Sequence, residues 1–292
     1  LAAVTARVVN QTQPPEEVIL VEALPGRISS DIDGLVIENK ISSFRIVRTG
    51  RLLNAPEARN LGASEATGDL LHFLDDDDFL LPHFYEFSKV VLSKNKEAVA
   101  VSHSVNWVSE DSVVIGRSVR GEGEITESQL MIENYAGVTS SVVLRSSVFK
   151  RTQGFNLDMP ARQDYLMWLE IAKYGPLVAT AKIGLNWTFH RTQSSVSNRA
   201  NIGDYEEAIQ KLTNYKNARL DELGQTTPEI VRRSKSNHFL YLARRAHGSG
   251  MIFQRIKFVL HGIKNRPSVR LVIELFPLSF QRLLKTIAFR FT

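Results

Sequence analysis

LLHFLDDDD, residues 70–78, sets an apolar run directly against four consecutive carboxylates. Gly68 precedes it, and a short apolar run bounded by a breaker reads as a strand buried on both faces. Four adjacent carboxylates repel one another, and at the end of a buried strand water screens that repulsion poorly. If the stretch stays extended, Asp75 and Asp77 point one way and Asp76 and Asp78 the other. Two carboxylates on one side suit a hard divalent cation, Mg²⁺ or Mn²⁺, with phosphate oxygens completing its shell. Open α/β sheets bind ligands beyond the carboxyl ends of their strands, which is where the run lies. A solvated acidic turn capping a helix near Pro82 accounts for the run equally well.

Working outward, LAAVTARVVN (1–10) reads as an amphipathic helix end and Val18–Val21 as a short buried strand, with a further strand at Phe44–Val47. Pro56–Ala66 carries Pro and Glu at its front, as a helix start should. Pro82–Ser93 is again helical and Ala98–Val108 is a strand. Strand and helix alternating at these spacings predict a mixed α/β fold with a mainly parallel central sheet flanked by helices. Beyond Gly121 the pattern loosens, with strands at Val138–Leu144 and Leu177–Ile183, a helix at Asp164–Lys173, and helices from Asp204 onward. The expected division is a domain over 1–200 and a helical C-terminal region over 201–292. Tyr165 and Trp168, one helical turn apart, are expected in the core.

The 292 residues are 43% apolar and 23% charged, which excludes a disordered or collagen-like chain. Without cysteine, disulfides, thiolate metal sites and cysteine nucleophiles are excluded, and a reducing cytoplasm fits. No apolar run is long enough to span a bilayer, and no basic head precedes an apolar block as in a signal peptide.

Charge is unevenly placed. Residues 230–292 hold 13 Lys or Arg against the single acid Glu274, a net +12, while the rest of the chain carries −7. A tail this basic is expected to meet something anionic, whether a membrane surface, a nucleic acid or an acidic partner. Phe280, Leu283, Leu284, Ile287 and Phe291 fall near helical spacing with Arg282, Lys285 and Arg290 between them. That is the pattern of a basic amphipathic helix lying on a membrane. The stacking aromatics of single-strand nucleic-acid binders are lacking, so nucleic acid is not expected.

ARNLGASEATGDLLHFLDDDD, residues 58–78, resembles the inverting family-2 glycosyltransferases. Their pattern runs Ala-Arg-Asn, a Gly, a Gly-Asp or Gly-Glu pair, and an apolar strand ending in Asp-x-Asp-Asp. Arg59, Asn60, Gly62, Gly68, Asp69, Phe73, Leu74, Asp75, Asp77 and Asp78 fall in register with it. Val8–Glu22, Ser141–Asn156 with its Gly154-Phe155 pair, and Gln163–Gly175 with its Gln-Asp pair extend the resemblance over most of residues 1–200.

The resemblance implies a Rossmann-like nucleotide-diphospho-sugar transferase fold and a role for each residue. Asp77 would ligate the Mn²⁺ or Mg²⁺, with Asp75 beside ribose and metal; Asp76, in the family's x position, and Arg59 would contact the nucleotide-sugar. Asp164 would be the general base on the acceptor hydroxyl, although an acid opening a helix also suits the helix dipole. Glu22 stands where the family places a base-contacting Asp. Two departures are expected to matter. The family's opening strand, ending Pro-x-Tyr-Asn, has no counterpart because the sequence starts after it. The family's aromatic-Arg-x-His motif is altered to Phe189-His190-Arg191-Thr192, followed by Ser195 and Ser197.

The expected activity is therefore inverting transfer of a sugar, from a UDP-sugar, to a glycan or lipid-linked acceptor in bacterial cell-surface polysaccharide synthesis. The expected location is cytoplasmic and peripheral on the inner face of the membrane. A nucleotidyltransferase would show a Gly-rich loop with a basic residue near its start, and none occurs. The alternative of another class is a catalytically impaired glycan-binding or scaffold homologue.

Overall fold

A computed structural model describes residues 2–26, 42–189, 201–224, 228–248 and 251–275. In chain order the first elements are α1 (Ala2–Val9), β1 (Glu17–Glu22), β2 (Ser43–Arg48), α2 (Ala55–Glu65), β3 (Leu70–His72), β4 (Phe79–Leu80) and α3 (Phe84–Lys94). They are followed by β5 (Ala100–Val108), β6 (Val114–Ser118), β7 (Gly123–Ile125), α4 (Glu127–Ile132), β8 (Val142–Arg145), α5 (Ser146–Phe149), α6 (Gln163–Ala172) and β9 (Leu177–Thr188). Among the described residues four helices follow: α7 (Ile202–Glu222), α8 (Pro228–Gly248), α9 (Ile252–Asn265) and α10 (Val269–Ile273).

Local chemistry explains the element that leads to the acid run. The Asn54 side chain accepts from Glu57 N while Glu57 accepts from Asn54 N, each at 2.8 Å, a capping box that starts α2. Further along, α3 has no side-chain cap of its own; Gln11 Oε1 accepts from Phe84 N at 3.1 Å instead. The acid run therefore does not cap that helix.

β1 and β2 form a parallel pair, and a seven-stranded sheet runs β3-β8-β5-β9-β4, with β6 on β5 and β7 on β9. The fold is mixed α/β, as the alternation predicts. The two longest ladders, β1–β2 and β5–β9, are parallel, and the five shorter ones are antiparallel. β8 lies antiparallel between β3 and β5, so those two strands share a direction across the α3 crossover. Alternation along the chain shows this direction but not the later strand inserted between them. β5 is buried over Ala100–Val105, which is why its sequence alternates so weakly. The hairpin strand β6 and the short β7 have no counterpart among the elements expected from the sequence.

The chain divides into two compact units, one of residues 1–130, 134–158 and 163–195, the other of 131–133, 159–162 and 196–292. In the first, α6 is buried nearly all round, with Tyr165, Trp168, Leu169 and Ile171 each 0% exposed. In the second, Asn201 and Asp204 form the capping box of α7. α9 buries Phe258, Val259 and Gly262, where the missing side chain admits Leu271. Its other side exposes Ile252, Phe253, Ile256 and Leu260 beside Lys257 and Lys264. The helix expected over Phe280–Phe291 lies outside the described residues, as does His190. No described helix is long and apolar enough to cross a membrane.

Candidate active site

The acid run is a turn, not an extended strand end. Asp78 N donates to Asp75 O at 3.2 Å, closing a four-residue turn whose central residues, Asp76 and Asp77, have no positive φ. The alternation expected for Asp75–Asp78 is thereby corrected: Asp76 is exposed, Asp75 and Asp77 are half-buried, and Asp78 is buried. The reason is that β3 ends at His72 and the chain must reverse to enter β4, which pairs antiparallel with β9.

Three neighbours fix this turn. Ser140 Oγ accepts from Asp75 N at 3.1 Å. The Ser140 carbonyl lies 2.9 Å from His72 Nε2, and a carbonyl only accepts, so Nε2 carries the proton. His72 Nδ1 then accepts from the Tyr85 hydroxyl at 3.0 Å. Burial holds this imidazole at a pKa of about 4, so it is neutral at pH 7. On the far side, Thr188 N donates to Asp78 Oδ1 at 3.0 Å and the Thr188 hydroxyl donates to the Asp77 carbonyl. Burial pushes the Asp78 carboxyl well up, and the charges of Asp75 and Asp77 push it further against hydrogen bonds from Ser140 and Thr188.

Arg59 comes to the turn from the middle of α2. Its guanidinium donates to Asp75 Oδ1 at 2.6 Å and lies over the Phe155 ring, 5.3 Å from its centroid. Next to it, Asn60 copies a strand partner: Nδ2 donates to Phe155 O at 2.8 Å and Oδ1 accepts from Phe155 N at 2.7 Å. Gly154 has φ +73°, and a Cβ there would lie 2.5 Å from Asn60 Oδ1, so the position needs glycine. Phe73 packs edge-on against Phe155 with centroids 5.0 Å apart. The Arg-Asn pair and the Gly-Phe pair, far apart in sequence, thus form one support beneath the turn.

The remaining expected residues stand as follows. Glu22 is buried at the end of β1, where it accepts from Gly26 N at 3.1 Å and lies 3.9 Å from Arg48 Nε. Asp164 is half-buried in the first turn of α6 and accepts from Tyr165 N at 2.7 Å. Just before it, Arg162 has φ +57°, a left-handed backbone that is uncommon for a residue with a side chain. Ser140 and Thr188 escape sequence reasoning, because a lone Ser or Thr in an apolar strand region carries no spacing signal.

The turn's donor set fits a hard cation. Its oxygens are carboxylates, and a divalent ion relieves the crowding of negative charge that Asp75, Asp77 and the buried Asp78 create. Among the described residues no cluster of three or more His, Cys, Asp or Glu encloses a metal. Asp75 and Asp77 are the residues that could hold such an ion, with oxygens of a ligand and water completing its shell.

Residues 4–226 match the family model described as glycosyltransferase like family 2. The chain belongs to that family. Within this family-2 chain the matched span takes in the Arg59–Asp75 pair, the acid turn and α6. A Haemophilus influenzae protein named an uncharacterized glycosyltransferase is 27% identical over 194 residues, 64% of this chain and 63% of that protein. Escherichia coli WfaP, named a UDP-Glc:alpha-D-GlcNAc-diphosphoundecaprenol beta-1,3-glucosyltransferase, is 28% identical over 151 residues, 50% of this chain and 57% of WfaP. The chain thus spans about three fifths of the length of these curated relatives. In fold it is similar to residues 1–349 of S. aureus TarS, solved in complex with UDP-GlcNAc: TM-score 0.64, 14% identity, covering 96% of this chain and 81% of TarS 1–349.

Proposed function

We propose that this chain transfers a sugar from a UDP-sugar to a hydroxyl of a lipid-linked glycan acceptor, with inversion, in bacterial cell-surface polysaccharide synthesis. The observation that carries the reading is the acid turn itself, three crowded carboxylates with a guanidinium locked on the first, inside a span matching family 2. The WfaP name supports a UDP-sugar donor and a lipid-diphosphate acceptor, and the TarS likeness supports a fold able to hold such a donor.

In this reading Asp164 takes the proton of the acceptor hydroxyl as that oxygen bonds to the anomeric carbon. The bond from that carbon to the diphosphate breaks, and its electron pair leaves with UDP. One displacement inverts the centre, and one base is enough for it. Asp75 and Asp77 would hold Mn²⁺ or Mg²⁺, which supplies positive charge to the departing diphosphate. Arg59 orients Asp75, while Asp76, exposed at the tip, faces the nucleotide-sugar. Glu22 is assigned to the nucleotide end of the site, through the end of β1.

The acceptor would be met at the inner face of the membrane. The basic C-terminal region supports this, since α9 sets Ile252, Phe253, Ile256 and Leu260 in the open next to lysines. Phe253→Glu with Ile256→Glu should abolish co-sedimentation with phosphatidylglycerol vesicles; unchanged binding rejects this part.

The decisive test follows UDP release from UDP-glucose, UDP-galactose and UDP-GlcNAc with Mn²⁺ and an α-GlcNAc-diphospholipid. Asp77→Ala and Asp164→Ala should each abolish transfer, and only Asp164→Ala should keep donor binding. Full activity in either variant refutes the role given to that residue.

A further inference from the structure

Three aromatic rings form a row at the rim where the acid turn meets the sheet. Trp107 on β5 and Trp187 on β9 are register partners in a parallel ladder, so they project from the same face, with ring centroids 6.4 Å apart. Phe189, two residues beyond Trp187, extends the row at 6.3 Å. Trp107 is 43% exposed and Phe189 44%. Trp187 rests in part on the core formed by Leu80, Phe84 and Leu185, so the row has a fixed base. Opposite Trp107 on β6 stands Gly116, where even a Cβ would come within 3.3 Å of the indole; a larger residue would crowd that ring.

The row is tied to the proposed reaction centre by Thr188. This residue lies between Trp187 and Phe189 and bonds to both Asp77 and Asp78. Single exposed aromatics are ordinary on protein surfaces, but three neighbouring rings beside a reactive turn call for an occupant. The C–H-rich face of a pyranose carries slight positive charge and suits the negative face of an aromatic ring. An anionic lipid surface suits this rim poorly, because Asp76 and Asp111 are exposed on the flanking turns.

We propose that Trp107, Trp187 and Phe189 form the platform on which a neutral sugar unit of the acceptor stacks. This inference rests on the glycosyltransferase reading and adds to it the chemical class of the acceptor's contact.

The protein supplies its own probe. Its three tryptophans are Trp107, Trp168 and Trp187, and Trp168 is 0% exposed, so acrylamide quenching reports on the platform pair. Methyl glycosides and disaccharides of glucose, galactose, mannose and N-acetylglucosamine should be titrated against it. At least one should shield the tryptophans, with Trp187→Ala weakening its binding about ten-fold and Trp187→Phe restoring most of it. Quenching that no sugar changes, or an alanine variant that binds sugar as the wild type does, overturns the platform. Shielding by phosphatidylglycerol vesicles but by no sugar overturns it in favour of lipid. Calorimetric UDP binding, run alongside with Mn²⁺, separates the two ideas: UDP binding without sugar shielding removes the platform alone, and no UDP binding removes the parent reading.

Discussion

Arg59 and Asp75 hold one another at 2.6 Å with the carboxylate side chain 41% exposed, so the pair contributes little to stability. Arg59→Ala should cost less than about 1 kcal/mol in urea unfolding, which is ordinary for a pair that water reaches. Its weight falls on function, because without the guanidinium Asp75 gains rotational freedom beside two other carboxylates. The KM for the UDP-sugar should rise about ten-fold or more in Arg59→Ala, and Arg59→Lys should not restore it, since an ammonium cannot keep both the carboxylate and the face of Phe155. A KM equal to the wild type's would show the pair to be idle. The residue types of this site were legible in the sequence, but the partner of Arg59 and the burial of Asp78 were not. Sequence spacing reports neighbours along the chain, and both facts come from elements meeting in space.

Between elements, the joint of α2 with the Gly154-Phe155 loop can be measured as a coupling. Asn60→Ala removes two hydrogen bonds and leaves the Phe155 backbone unpaired, which should cost about 2 kcal/mol. Gly154→Ala strains a φ of +73° and presses on Asn60 Oδ1, so it should be destabilising as well. The double variant should be more stable than the two single losses predict, because removing Asn60 also removes the clash. Strict additivity in denaturant unfolding would contradict the geometry. Here the sequence was informative: each pair stood out as a motif, and α2 and α6 were placed within a residue or two by their caps and periodicity. Less legible were β6, β7 and the insertion of β8, whose pairing depends on long-range partners that periodicity does not encode.

For the whole molecule, the buried histidines predict acid lability. His72 and His103 are held at pKa values of about 4 and about 3 against an ordinary 6.5, in both cases chiefly by burial. Above pH 6.5 both states are neutral and nothing is lost. Below it the unfolded chain takes up protons that the folded chain refuses, so stability falls as pH drops from about 6.5 toward 4 and then 3. His103→Phe should flatten this decline, since the ring packs against Phe84 at 4.5 Å and its Nδ1 is buried without a hydrogen-bond partner. Equal melting-temperature losses between pH 7 and pH 5 in wild type and variant would assign the lability elsewhere.

The sequence by itself determined the α/β class, the positions of α2, α3 and α6 and the family whose motif holds Arg59, Asp75 and Asp77, because these depend on residue type and short spacing. Tertiary structure alone decided that the acid run turns back on itself, that Arg59 reaches Asp75, and that three aromatic rings share one rim. Those outcomes depend on which strands pair and in what register, and a chain's local pattern does not carry that choice.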